Sequence, residues 1–175
     1  HRLIHKMAPY EESIRIPLII AGPGVAHGQV DKIVGLHDIG PTLIELAGGR
    51  PPIEMDGKSL VGFLRDGEHA DGSHWRTGLL TEYNAGGVFP GYSPGGAMGR
   101  GYGLDIPTYR SIRTETHKLI RWSGTGEEEL YELIGDPFEL RNMLQTAPTP
   151  TITALRDDLR VRLNSLLNAS GPSSP

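Results

Sequence analysis

The run Tyr109-Arg110-Ser111-Ile112-Arg113-Thr114-Glu115-Thr116-His117-Lys118-Leu119-Ile120-Arg121-Trp122 decides the architecture of the second half of this chain. Side-chain character alternates with period two from Tyr109 to Thr114, breaks at Glu115-Thr116 and resumes at Lys118 to Trp122, the pattern of two strands joined by a tight connection. Glu129-Leu130-Tyr131-Glu132-Leu133 reads as a third strand across the turn Gly124-Thr125-Gly126, and Thr77 to Tyr83 as a fourth. Together they predict an antiparallel sheet of about four strands. A sheet must bury its apolar face against another layer. Ile152, Leu155, Leu159, Leu163, Leu166 and Leu167 recur at steps of three or four, with Arg156, Asp157, Arg160 and Arg162 on the other side. An amphipathic helix packed on the sheet is therefore expected.

Upstream, the pattern changes to that of an α/β layer. Ile14-Arg15-Ile16-Pro17-Leu18-Ile19-Ile20 is a continuous β-branched run closed by Gly22-Pro23-Gly24. Such a run suits a strand buried on both faces, although Pro17 belongs at strand starts, edges or bulges. Asp38 to Ala47 has an Asp at the N-cap position, Pro41 in the first turn and Gly48-Gly49 after the end, which predicts a helix. A short helical piece is expected near Ser59 to Arg65. Between the halves lies a glycine-rich stretch from Gly86 to Gly103, either a flexible surface loop or one that borders a substrate. Gly99-Arg100-Gly101-Tyr102-Gly103 is not the G-x-G-x-x-G dinucleotide fingerprint. The expected organisation is an α/β segment over 1–73, a sheet-and-helix subdomain over 74–170, and a disordered tail over 171–175.

Composition excludes several classes of function. The 175 residues carry 17 Lys+Arg against 21 Asp+Glu, a net charge of −4. With no basic run, a nucleic-acid partner is not expected. No apolar stretch approaches the roughly 18 residues that cross a bilayer. The absence of Cys excludes disulfides, thiolate metal sites and a Cys nucleophile in this chain, and favours a bacterial cytoplasmic or periplasmic setting. Glycine and proline make up about 22% of residues, well above the usual sum of about 12%, so the chain is rich in loops.

Residue chemistry alone names no active site. His1 and His5 lie four apart, but no third ligand is near them and no H-E-x-x-H occurs. No G-x-S-x-G elbow is present. Ordered motifs say more. His1-Arg2-Leu3-Ile4-His5-Lys6-Met7-Ala8-Pro9-Tyr10-Glu11-Glu12, running into Ile14 to Ile20, resembles the sulfatase segment "G-E-H … K … Y-E-E-x-x-R-x-P-L-I". Downstream, and in the family's order, Asp38 to Gly48 resembles "D-x-x-P-T-L-L-x-L-A-G" and Asp56-Gly57-Lys58-Ser59-Leu60 resembles "D-G-x-S-L". Arg110 to Ile120 is similar to "R-x-V-R-T-x-x-Y-K-L-I". Glu129 to Asn142 is similar to "E-L-Y-D-L-x-x-D-P-x-E-x-x-N".

By this resemblance the chain is the C-terminal portion of a sulfatase. It would hold the end of an alkaline-phosphatase-like α/β sandwich, residues 1–73, followed by the sheet subdomain. The resemblance implies a parent enzyme that hydrolyses a small-molecule or carbohydrate sulfate ester with a formylglycine nucleophile and calcium. Both would come from residues preceding His1, because the chain has no Cys and Ser170-Gly171-Pro172-Ser173-Ser174 lacks the Arg that the C/S-x-P/A-x-R motif requires. The chain alone is then expected to be inactive, its partner being the missing N-terminal portion of the same protein. Lys6 matches the family's sulfate-contacting lysine, and an ammonium suits charge that builds on sulfate oxygens. His1 is a further candidate contact. His5 stands where many relatives carry a small residue. Tyr83, Tyr92 and Tyr102, in or beside the glycine-rich loop, are candidates to stack on a sugar or aryl ring. Alternatives are a phosphonate or phosphodiester monoester hydrolase of the same superfamily, or a non-catalytic anion-binding remnant.

Overall fold

Four strands form one antiparallel sheet in the order β1-β2-β3-β4, with β1 Leu79–Tyr83, β2 Tyr109–Arg113, β3 His117–Trp122 and β4 Glu128–Glu132. In the computed structural model, which describes residues 7–50, 54–67, 70, 72–84 and 106–169, Tyr109 pairs with Trp122 and Arg113 with Lys118. Lys118 in turn pairs with Tyr131 and Ile120 with Glu129. This register sorts the strands into two faces. Ile112, Leu119 and Leu130 point one way and meet Leu159 and Leu163 of the helix α4, Pro150–Ala169. Tyr109, Ile120, Trp122 and Tyr131 point the other way and pack with Ala8, Tyr10, Ile106 and Leu133. The alternation thus gives the sheet two apolar faces, covered by α4 on one side and by an N-terminal strap on the other. Arg160 of α4 adds a forked contact to Glu128 at 2.8 and 2.9 Å.

The strap is residues 7–16, which belong to the same compact unit as the sheet and α4. It contains one short helical turn, α1 Glu11–Ile14. The strand expected over Ile14 to Ile20 is not formed: α1 ends at Ile14 and residues 15–20 have no regular structure. A continuous apolar run becomes a strand only when neighbours satisfy its amides and cover its side chains. Among the described residues no strand lies beside this run to pair with it. Pro17 lacks a ladder donor, and Ile19 is 89% exposed.

Residues 17–79 form the second unit. A 3-10 turn at Leu36–Asp38 leads into α2, Ile39–Leu46, and α3 spans Val61–Asp66. Gly48, with φ +76, follows α2 as the expected glycine stop. Gly57 shows why the D-G-x-S-L block carries a glycine. A Cβ there would lie 2.0 Å from the His37 carbonyl oxygen, closer than any side chain tolerates. Phe63 meets Trp75 edge to face at 4.8 Å, and the indole Nε1–H of Trp75 donates to the Ile33 carbonyl at 2.8 Å.

Candidate functional site

In the sheet unit the chemistry converges on Lys118, a β3 residue on the strap side with no exposed surface. Its ammonium has three N–H groups, and three oxygens surround it. They are Glu11 Oε1 at 2.6 Å, Glu139 Oε1 at 2.8 Å and the Pro9 carbonyl at 3.0 Å. Glu139 Oε2 also accepts the Glu11 backbone N–H at 2.5 Å, and the Arg113 guanidinium lies 3.5 Å from Glu11 Oε2. Two cations thus face two carboxylates, which is how charge is tolerated inside a fold. Burial pushes the Glu11 carboxyl up, but Lys118 and Arg113 outweigh it and hold the group below the usual carboxylate range. At Glu139 burial wins over Lys118, and the carboxyl is raised.

Glu139 reaches Lys118 from a tight turn. Asp136 accepts the Leu140 and Arg141 amides at 3.0 and 2.8 Å, and its carbonyl accepts the Glu139 amide at 3.0 Å. Asn142 Oδ1 takes the Leu130 and Leu144 amides at 3.1 and 3.0 Å. The D-P-x-E-x-x-N spacing is therefore a folding device: Asp136 shapes the turn, Glu139 points inward and Asn142 stitches the turn to β4. Glu139 has φ +54, a region that costs a non-glycine residue roughly 1–2 kcal/mol. Its place in the ion cluster holds it there.

Beside this cluster, Glu129 accepts from Tyr10 Oη at 3.0 Å, Tyr131 Oη at 2.8 Å and Trp122 Nε1 at 3.0 Å. Burial, reinforced by Glu129, raises both tyrosines far above the ordinary phenol range. They are donors at every ordinary pH. Tyr83 stacks on Tyr109 with ring centroids 6.0 Å apart. The Tyr109 phenol is pushed up to about 12 by burial, with Tyr83 adding to it. Of the candidate residues, Tyr83 is therefore part of an aromatic layer on the strap side of the sheet. Lys6, His1, Tyr92 and Tyr102 lie outside the described residues.

In the second unit Asp38 is the hub. Its side chain, fully buried, is gripped by the two terminal guanidinium nitrogens of Arg76, the Nη2 contact being 2.6 Å. The Gly35 and Lys58 amides donate to the same carboxylate at 2.8 and 2.7 Å. Burial disfavours the charge, yet the Arg76 hydrogen bonds and these amides outweigh it, so the Asp38 carboxyl titrates below its ordinary value. Asp38 sits at the N-cap position of α2 without capping it by its side chain, because these donors occupy both oxygens. Thr42 Oγ1 donates to the Asp38 carbonyl at 2.5 Å and accepts the Leu60 amide at 2.9 Å. Asp38 thus stands at the helix start that the sequence predicts, held there by contacts within the fold. The sequence reading did not anticipate Arg76, nor the meeting of Glu11, Lys118 and Glu139, whose only signal was their place inside quoted motifs.

What this arrangement can do chemically is hold backbone in place. Every charge in both clusters has a partner within the fold, which leaves no free acid or base there. Among the described residues no group of three or more His, Asp or Glu side chains is arranged to hold a metal ion. The chain has neither a Cys nor a Ser that opens a C/S-x-P/A-x-R motif, from which a formylglycine could be made. The described residues therefore do not fit either group, and no reaction step is derived through them. Among the described residues no helix is long and apolar enough to cross a membrane.

Comparison with known proteins is consistent across sequence and structure. Residues 1–96 match the family described as N-sulphoglucosamine sulphohydrolase, C-terminal. The chain is 32% identical to dog (Canis lupus familiaris) arylsulfatase K over 174 residues, covering 96% of this chain and 28% of that protein. It is 31% identical to goat (Capra hircus) N-acetylglucosamine-6-sulfatase over 193 residues, covering 97% of this chain and 32% of that protein. The chain thus spans about a third or less of the relatives it matches. Among solved structures, a 2-O GAG sulfatase superposes with TM-score 0.69 at 26% identity, covering 94% of this chain and 32% of that one.

Proposed function

The chain belongs to the N-sulphoglucosamine sulphohydrolase C-terminal family of sulfatases, and from that premise we propose that the whole protein hydrolyses sulfate esters of carbohydrates. The observation that carries the reading is the family match over residues 1–96, which includes the His1 to Glu12 block and with it Lys6. The substrate class follows from the relatives, which act on N-acetylglucosamine 6-sulfate and on 2-O-sulfated glycosaminoglycan by their names.

In this reading formylglycine and calcium belong to parts of the whole protein outside this chain. They supply the nucleophile and Lewis acidity, and the chain alone is inactive. Lys6 contributes a cation to the sulfate, stabilising charge on its oxygens as the S–O bond breaks. A lysine does this as a compact point charge, where arginine would bind as a fork. His1 is a second contact to the same group. Tyr83, Tyr92 and Tyr102 form the sugar side of the site, offering ring faces to the leaving group. The Tyr83 to Tyr109 stack supports this for Tyr83, since a ring already held by a neighbour loses little freedom on binding.

The test has two parts. The reading frame upstream of His1 is expected to encode C/S-x-P/A-x-R. The protein expressed from that whole frame is expected to cleave 4-nitrophenyl sulfate in preference to a 4-nitrophenyl phosphonate. A frame without the motif makes the protein a non-catalytic remnant. Preference for the phosphonate assigns it to the sister group of phosphonate hydrolases.

A further inference from the structure

The Lys118 ammonium donates a hydrogen bond to the carbonyl of Pro9, 109 residues away in sequence. The Glu139 carboxylate, from 128 residues away, holds the Glu11 amide. Together these two side chains grip one short piece of chain at three points: the Pro9 carbonyl, the Glu11 amide and the Glu11 carboxylate. Nothing in a hydrophobic core demands this. A buried ion cluster is a poor source of stability, and well-packed apolar residues of the same volume often do as well or better. What directional bonds to backbone add, and apolar packing does not, is a fixed position. The gripped piece follows Lys6 directly. Two residues separate Lys6 from Pro9, three steps along the backbone and a reach of at most roughly 11 Å even if fully extended.

We propose that Lys118 and Glu139 are positioning residues for the sulfate contact: by clamping Pro9 and Glu11 to the sheet they set where Lys6 meets the substrate. This rests on the role of Lys6 given under the proposed function. It assigns the sheet subdomain a part in catalysis through its grip on the strap. It also accounts for Glu139 keeping a left-handed backbone, since the inward carboxylate is one of the three points of the grip. Lys118 and Glu139 touch neither substrate nor reacting atoms, because Lys118 is enclosed, its ammonium ion-paired with both carboxylates and hydrogen-bonded to the Pro9 carbonyl.

A double-mutant cycle in the full-length protein tests this, with 4-nitrophenyl sulfate as the probe. Lys6→Ala is expected to lower kcat/KM by about a hundredfold, as for loss of one electrostatic contact to a developing anion. Lys118→Met is expected to lower it by at least about tenfold, yet by less than about twofold when Lys6 is already Ala, the non-additivity of two residues acting through one contact. Glu139→Gln preserves shape but loses one of its two acceptor contacts, so it carries the same comparison if Lys118→Met does not fold. Amide hydrogen exchange over residues 7–12 is expected to rise in both variants, with α4 unchanged. Equal losses from Lys118→Met in the two backgrounds would overturn the positioning role and leave the proposed function standing. So would full kcat/KM in Lys118→Met. A Lys6→Ala enzyme as active as wild type would overturn the assignment of Lys6 itself, and the positioning role with it.

Discussion

Replacing Asp38 by Ala removes the one group that ties the turn before α2, the D-G-x-S-L block and Arg76 together. The carboxylate accepts two guanidinium contacts and the amides of Gly35 and Lys58. Its removal leaves the mostly buried Arg76 cation without its acceptor, and breaking a buried pair in this way costs about 3–5 kcal/mol. At about 1.4 kcal/mol per decade, that is a loss of two to three and a half orders of magnitude in local opening equilibrium. The assay is amide hydrogen exchange of Gly35 and Lys58 in the full-length protein. Because the folded Asp38 carboxyl titrates below its ordinary value of about 3.9, its contribution is complete above that value and lost as pH falls through the folded one. The difference between wild type and Asp38→Ala therefore narrows on acidification below about pH 4. A loss of protection under about tenfold at neutral pH, or a difference that grows in acid, would mean that Asp38 does not tie these segments together.

Three further outcomes follow from the packing. Leu163→Ala empties a fully enclosed position between α4 and the sheet, and is expected to cost about 2–5 kcal/mol in urea unfolding; a change under about 1 would mean that the helix does not seal that face. Gly57→Ala drives a methyl into the His37 carbonyl, so at least about 1–3 kcal/mol of destabilisation is expected, and a neutral substitution would contradict the close approach. In the isolated 175-residue chain, amides of residues 18–20 should exchange fast while those of Ile112, Leu119, Ile120 and Leu130 are protected, because the former include exposed Leu18 and Ile19 with no ladder. Uniform protection would refute that division.

The elements that the sequence made legible are those whose cover is close in the chain. The alternation at Tyr109 to Trp122 and the leucine steps from Ile152 to Leu167 each carry their period within a dozen residues or so, and β2, β3 and α4 appear where those periods place them. Ile14 to Ile20 carries the composition of a buried strand, yet composition does not say which chain would lie beside it, and the run is irregular and exposed. The ion cluster was illegible for the same reason in reverse. Glu11, Lys118 and Glu139 are ordinary charged residues at their own positions, and only the sheet register and the Asp136 turn bring them together. Asp38 was legible as a helix start because of Pro41 and the glycine stop, but its partner Arg76 lies 38 residues away in a stretch with no period.

Under the proposed function the whole protein is a carbohydrate sulfatase to which this chain supplies the sulfate-binding lysine. The measurement that tests this most directly is release of inorganic sulfate from a sulfated glucosamine by the full-length protein, with Lys6→Ala alongside. Sulfate release by wild type, cut about a hundredfold in Lys6→Ala, is the predicted result. No release from any sulfated sugar, or equal release by both proteins, would contradict it.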